Sequence, residues 1–213
     1  MPTALILGST GLVGRHLVDV LRAEPRYEHI TVVTRRASEA FDRDAKTTQV
    51  VVDFARLADY ADRLAADHVF CALGTTMRTA GSKERFRDVD YAYPVEAGRV
   101  TLANGAKHFS LVSSLGANAQ SRTFYSRVKG ETEEAIRSQG WPSLVIVRPS
   151  IIGGEREERR PGERLGQVIF RLLPKSLRTI PARAIALAMV ELAKSEPPGV
   201  KLVPSRDLWA HAR

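Results

Sequence analysis

The stretch Leu5-Ile6-Leu7-Gly8-Ser9-Thr10-Gly11-Leu12-Val13-Gly14-Arg15-His16-Leu17-Val18 decides the fold. The apolar run Ala4 to Leu7 enters it, and Leu12, Val13, Leu17, Val20 and Leu21 leave it at helical spacing, so the glycines sit in a strand-to-helix turn. Glycine there permits a tight turn, lets the backbone approach a pyrophosphate, and lets helix pack closely on strand. The helix amino terminus adds unpaired N–H groups and a dipole that favours an anion. The spacing Gly-x-x-Gly-x-x-Gly therefore predicts a dinucleotide phosphate loop made of Gly8, Ser9, Thr10, Gly11, Leu12, Val13 and Gly14. A bare turn without a ligand is the plainer alternative, and the strand before and amphipathic helix after weigh against it.

Outward from this turn, short apolar or β-branched runs recur: Ala4 to Leu7, Ile30 to Thr34, Val50 to Asp53, Val69 to Leu73, Phe109 to Ser113 and Leu144 to Val147. Several are apolar throughout, as strands are when helices cover both faces of a parallel sheet. Helical segments lie between them, among them Tyr91 to Asn104 with Val95, Val100 and Leu102. Strands alternating with crossover helices predict an α/β fold, a doubly wound parallel sheet of the Rossmann type whose ligand site lies at the carboxyl ends of the strands. After Pro149 come a charged segment to Pro161, an apolar stretch at Leu165 to Leu173 and the alanine-rich run Ala182 to Lys194. One domain over 1–213 is expected, with 150–213 forming a small carboxyl-terminal cap on the substrate side.

At 213 residues, with 44% hydrophobic and 26% charged residues, the chain has the composition of a folded globular domain. No run approaches the roughly 18 uncharged apolar residues of a bilayer helix, and no secretory apolar region is visible, so a cytoplasmic protein without membrane contact is expected. The single cysteine, Cys71, lies in an apolar run and reads as a buried thiol, not a nucleophile. The net charge of +8 comes from scattered arginines interspersed with acids, and no zinc-finger spacing or aromatic ribonucleoprotein motif accompanies it. A solvated basic surface explains the charge better than nucleic acid does. A monomer or homodimer with no metal is expected.

The second run ends at Thr34 and continues into Arg35 and Arg36. In this fold an acid at that place selects the ribose hydroxyls of NAD, whereas guanidinium groups suit the 2′-phosphate of NADP. NADP, as NADPH, is the expected cofactor. Two arginines opening a solvated loop are the plainer reading.

Ser113 and Ser114 close the fifth run, and Tyr125 and Lys129 follow in Phe-Tyr-Ser-Arg-Val-Lys-Gly. Residues four apart share a helix face, so an ammonium can sit beside the phenol and favour its ionised form. A free tyrosine titrates near pH 10, too high for proton transfer at neutral pH without such help. A neighbouring serine hydroxyl can hold a substrate oxygen against the phenol. Ser114, Tyr125 and Lys129 are the candidate catalytic set, suited to carbonyl reduction or its reverse.

To about Val147 the chain resembles the short-chain dehydrogenase/reductase superfamily, with Gly8 to Gly14, Ser114, Tyr125 and Lys129 on its motifs. The segments Cys71 to Thr76, Lys107 to Ser114 and Tyr125 to Glu131 look like its atypical subgroup. The resemblance implies that Asp53, ending the third run with Phe54, lies near the adenine as a cofactor contact, a helix cap being its plainer reading, and that Phe54 belongs to the cofactor site. It implies too that Leu73, Gly74 and Thr75 line the nicotinamide ribose side and that Pro149, Ile151 and Ile152 close over the nicotinamide. It also implies a cofactor contact for Tyr125 and Lys129. Where the superfamily often carries an asparagine ahead of the fifth strand, this chain has Asp90. The short segment after the sixth run disfavours the sugar-nucleotide substrates of the extended members. The expected function is NADPH-dependent reduction of a small carbonyl compound. The rival is a regulatory or protein-interaction module that responds to NADP without turnover.

Overall fold

The computed structural model describes residues 1–41, 44–153 and 179–211. Strands β1 (Thr3–Leu7), β2 (His29–Thr34), β4 (His68–Cys71), β5 (His108–Val112) and β6 (Ser143–Arg148) fall on the apolar runs, and β3 (Thr47–Val51) overlaps the third. With β7 (Ile152–Gly153), β8 (Ile180–Pro181) and β9 (Gly199–Pro204) they make two sheets, a seven-stranded one ordered β3-β2-β1-β4-β5-β6-β9 and the small pair β7-β8. Every pairing is parallel. The order reverses between β1 and β4, and the register Leu7↔Val33, Leu7↔Cys71 and Cys71↔Leu111 aligns the carboxyl ends along one edge. This is the α/β Rossmann architecture, with its ligand crevice expected at that reversal.

Alternation along each strand sends successive side chains to opposite faces. Ala4 and Ile6 join Phe70, Val145 and Val147 beneath the helices α1 (Leu12–Ala23) and α4 (Ala182–Ser195), which contribute Leu17, Leu21, Ile185 and Met189. Leu5 and Leu7 join Phe109, Leu144 and Ile146 on the other face, under Val100 of α2 (Tyr93–Ala103) and Ile136 of α3 (Phe124–Arg137). Strands β1, β2, β4, β5 and β6 are buried on both sides, which explains why their sequences do not alternate.

Residues 150–213, expected as a cap, do not all lie over the substrate side. Helix α4 covers one face of the principal sheet against α1, and β9 extends that sheet beside β6. An edge strand whose first four residues are exposed carries little apolar signal, so Gly199–Pro204 does not read as a strand in sequence. The segment 154–178, with the charged and apolar stretches after Gly153, lies outside the described residues. The third run, read as Val50 to Asp53, is instead the strand Thr47–Val51.

At the amino ends of the strands, opposite the crevice, Tyr27 Oη lies 2.7 Å from His68 Nδ1, and His68 Nε2 lies 2.9 Å from Glu196 Oε1. His108 sits between Ser143 Oγ at 2.8 Å and Ser110 Oγ at 2.7 Å, its ring 5.4 Å from that of His68. Burial, and then the neighbouring His68, pushes the His108 pKa down to about 3.

Candidate functional site

The turn after β1 is shaped by two steric constraints. Gly8 has φ +83°, and a Cβ there would lie 2.6 Å from the carbonyl oxygen of Ala72 in the neighbouring loop. A Cβ at Gly14 would run into the carbonyl of Gly8. Only glycine at these positions lets α1 begin so close to β1. Gly11 is the amino-terminal cap residue, and no side chain caps the helix there, so the first N–H groups of α1 are left for a ligand. The buried hydroxyls of Ser9 and Thr34 have no hydrogen-bond partner. Leu12 packs against the core and Val13 is buried in it.

The turn and Thr34 open on a cleft of about 560 Å³ whose lining includes Gly8, Thr10, Gly11, Arg35, Phe54 and Leu73 to Thr75. Free N–H groups, the orphaned Thr34 hydroxyl and a backbone bared by glycine suit a dinucleotide diphosphate. At the end reached from β2, the rings of Phe54 and Tyr93 stand 5.5 Å apart. Burial and the carboxylates of Asp88 and Asp53 hold the Tyr93 phenol above its ordinary range, against the opposing Arg35. Arg35 lines the cleft, whereas Arg36 is exposed and does not. Asp53 caps the 3-10 turns Phe54–Arg63, its Oδ1 accepting from Ala55 N–H at 3.0 Å. Tyr93 and Arg85 line the same cleft and are not legible as such in the sequence.

The opposite half of the site is assembled by α3. The helix begins at Phe124, one residue before Tyr125, so Tyr125, Lys129 and Glu133 fall on one stripe at successive i,i+4 steps. Tyr125 is 40% exposed, its ring 5.7 Å from that of Phe86. Lys129 is buried and its Nζ lies 2.8 Å from Asp90 Oδ1, in the π-helical turn Asp88–Ala92. The other carboxylate oxygen of Asp90 accepts from Thr75 N–H at 2.8 Å. Burial disfavours the Lys129 ammonium, but the Asp90 carboxylate and then Tyr125 outweigh it and hold its pKa above the usual lysine value. Gly74 joins the two halves: it lines the cleft, and a Cβ there would lie 3.5 Å from Asp90 Oδ1 and 3.6 Å from Lys129 Nζ.

Ser114 is buried, and its hydroxyl has no partner. Its neighbour Ser113 donates to Glu133 Oε1 at 2.5 Å, and Arg148 donates to both Glu133 oxygens at 2.9 and 2.5 Å. Pro149 accepts from Leu115 N–H at 2.7 Å, tying the loop after β5 to the end of β6. Ile151 is exposed, and Ile152 pairs with Ile180 in the small sheet. Cys71 is buried at the end of β4, its thiol pushed up to about 12 by burial. Among the described residues no cluster of three or more His, Cys, Asp or Glu is placed to hold a metal, and no helix is long and apolar enough to cross a membrane.

A glycine turn at the reversal of a parallel sheet, with a Tyr–Lys helix behind the fifth strand, defines an NAD(P)-binding protein of short-chain dehydrogenase/reductase type. The NAD(P)H-binding family matches residues 8–196, and the chain belongs to it. It is 34% identical over 194 residues to Protein HTATIP2 of Rattus norvegicus, covering 88% of this chain and 79% of that one. It is 35% identical over 180 residues to the mitochondrial protein fmp52 of Emericella nidulans, covering 82% of this chain and 77% of that one. Among solved structures, the DesIV dTDP-glucose 4,6-dehydratase of Streptomyces venezuelae with NAD and DAU bound shares the fold at a TM-score of 0.74 and 14% identity, over 94% of this chain and 74% of that one. A UDP-N-acetylglucosamine 4-epimerase from Methanobrevibacter ruminantium shares it at 0.72 and 18%, over 95% and 76%.

Proposed function

We propose that the protein is an NADPH-dependent reductase of a small carbonyl compound. The observation that carries this reading is the position of Gly74, which lines the dinucleotide cleft and where an added Cβ would touch the Lys129–Asp90 pair. The Tyr–Lys helix thus adjoins the place where a nicotinamide would lie. The bound cofactor supplies the hydride.

The residues of the chain do the rest. Arg35, with Arg36 beside it, holds the 2′-phosphate, and the free N–H groups of the first turn of α1 hold the diphosphate. Asp53 and Phe54 flank the adenine, Leu73 to Thr75 the nicotinamide ribose, and Pro149, Ile151 and Ile152 the nicotinamide ring. Lys129 binds the ribose hydroxyls. Ser114 donates its unpartnered hydroxyl to the substrate carbonyl oxygen, and Tyr125 gives that oxygen its proton as the carbon is reduced. Solvent reprotonates the phenol, which is 40% exposed.

A carbonyl panel followed by NADPH absorbance tests the reading. Tyr125→Phe is expected to abolish turnover while leaving NADPH affinity nearly unchanged, and Lys129→Ala to damage both. Turnover that survives Tyr125→Phe would overturn the assignment. The Lys129–Asp90 contact favours one rival, an NADP-responsive regulatory module, because it neutralises the ammonium that would otherwise act on the phenol. Tight NADPH binding with no reduction of any carbonyl would support that rival. We place the protein in the cytoplasm, to be tested by imaging a fluorescent fusion.

A further inference from the structure

The loops after β4, β5 and β6 lie side by side because those strands are adjacent and parallel. Each presents a large apolar side chain to solvent: Met77 at 38% exposure, Leu115 at 43% and Ile151 at 55%. Tyr125, at 40%, opens the helix behind them. Isolated exposed apolar residues carry no meaning, but these four are half of the eight large ones exposed among the described residues, gathered at the edge that carries Ser114. The Leu115–Pro149 hydrogen bond holds two of the three loops together.

The charged groups flanking Ser114 at this edge are paired, while the exposed Arg85 lies in the dinucleotide cleft. Lys129 is neutralised by Asp90, and Arg148 by Glu133 through two hydrogen bonds. Arg127 donates to the carbonyl of Ser121 at 3.2 Å and lies 3.9 Å from Glu131. Among the described residues at this edge, the Ser114 hydroxyl is buried without a hydrogen-bond partner. An anionic substrate would meet the buried carboxylates of Asp90 and Glu133 with their cations already taken, and a polyhydroxylated one would strand hydroxyls against Leu115 and Ile151. A single carbonyl oxygen on an apolar body needs one hydrogen bond and apolar walls.

We infer that the substrate is a neutral alkyl or aryl aldehyde or ketone, not a keto acid, a sugar or a phosphorylated carbonyl. The inference rests on the reductase reading above and narrows it.

The test uses the full chain with NADPH and a series of propanal, pentanal, hexanal and decanal, set against succinic semialdehyde and glyceraldehyde. Specificity, as kcat/KM, is expected to rise roughly two- to fourfold per added methylene, with the charged and hydroxylated compounds at least about tenfold poorer than alkanals of similar size. Met77→Ser and Leu115→Ser should flatten the chain-length dependence without changing NADPH affinity. A parallel calorimetric series with propanamide, hexanamide and decanamide on the NADP-loaded protein separates the two claims. If the amides bind more tightly with length but no aldehyde is reduced, the apolar site stands and the reductase reading falls. A flat series, or preference for succinic semialdehyde or glyceraldehyde, overturns the inference.

Discussion

The ammonium of Lys129 and the carboxylate of Asp90 lie 2.8 Å apart, both side chains almost wholly buried. The same carboxylate holds the Thr75 N–H at 2.8 Å, so one pair fixes the helix that carries Tyr125 and the loop that lines the cleft. An asparagine could accept the Thr75 bond equally well; what the acid adds is charge. Because the pair raises the Lys129 pKa above the usual lysine value, its contribution is complete below that value and is lost only as pH climbs beyond it.

Asp90→Asn removes the charge and leaves burial of the ammonium unopposed. Stability to urea is expected to fall by about 3–5 kcal/mol, the usual consequence of leaving one partner of a buried pair alone. Lys129 should then lose its proton at lower pH, so that NADPH affinity declines across the alkaline range where the unaltered protein holds steady. Calorimetric titration at several pH values measures this, and parallel profiles for the two proteins would show that Asp90 does not govern the charge of Lys129.

Arg35 and Arg36 are equivalent in sequence but not in space, since only Arg35 lines the cleft. Arg35→Ala is expected to weaken NADPH binding by about 1.5–3 kcal/mol, the range for a hydrogen bond to a charged group, with little effect on NADH. Arg36→Ala should have the smaller effect. Equal losses for both cofactors would remove the 2′-phosphate from the account of Arg35.

His108 provides an acid-sensitive element in the core. Its pKa is lowered to about 3 in the fold, against about 6.5 for a free histidine, so between these values the unfolded chain binds the extra proton. Stability therefore falls as pH drops through that window, with a contribution approaching ~1.4 kcal/mol per pH unit from this residue. Urea unfolding from pH 7 to pH 4 should show a shallower decline for His108→Gln. Comparing slopes keeps the test valid even if the variant is less stable throughout, and identical slopes would exclude His108 as the source.

The legible parts of the molecule were those written in local pattern. The glycine spacing and the six apolar runs announced the sheet, because strands covered on both faces must be apolar throughout. Tyr125 and Lys129 were legible because helical periodicity alone places them on one face. Asp90 and Lys129 are 39 positions apart, and only the packing of the π-helical turn against α3 brings the carboxylate to the ammonium. Arg85 and Tyr93 reach the cleft in the same non-local way. Strand β9 is not legible in the sequence because its exposed edge position demands little of it.

Glu133 extends the stripe of Tyr125 and Lys129 by one more i,i+4 step, and it is 2% exposed. It accepts from Ser113 on β5's end and twice from Arg148 on β6's end, with Arg137 3.8 Å away. Through it, α3 is fastened to the two strand ends that carry Ser114 and Pro149. Glu133→Gln retains shape and removes charge, and should cost about 2–4 kcal/mol of stability, less than Glu133→Ala, because Arg148 is part-exposed and can recover water. A double-mutant cycle with Arg148→Met isolates the pair, and a coupling above ~1 kcal/mol is expected for groups in direct contact. If the positioning role holds, Glu133→Gln should also lower kcat for carbonyl reduction more than it lowers NADPH affinity, since Ser113 adjoins Ser114 and not the diphosphate. Additive stabilities together with unchanged kcat would reduce Glu133 to a buried acid with no hold on the site.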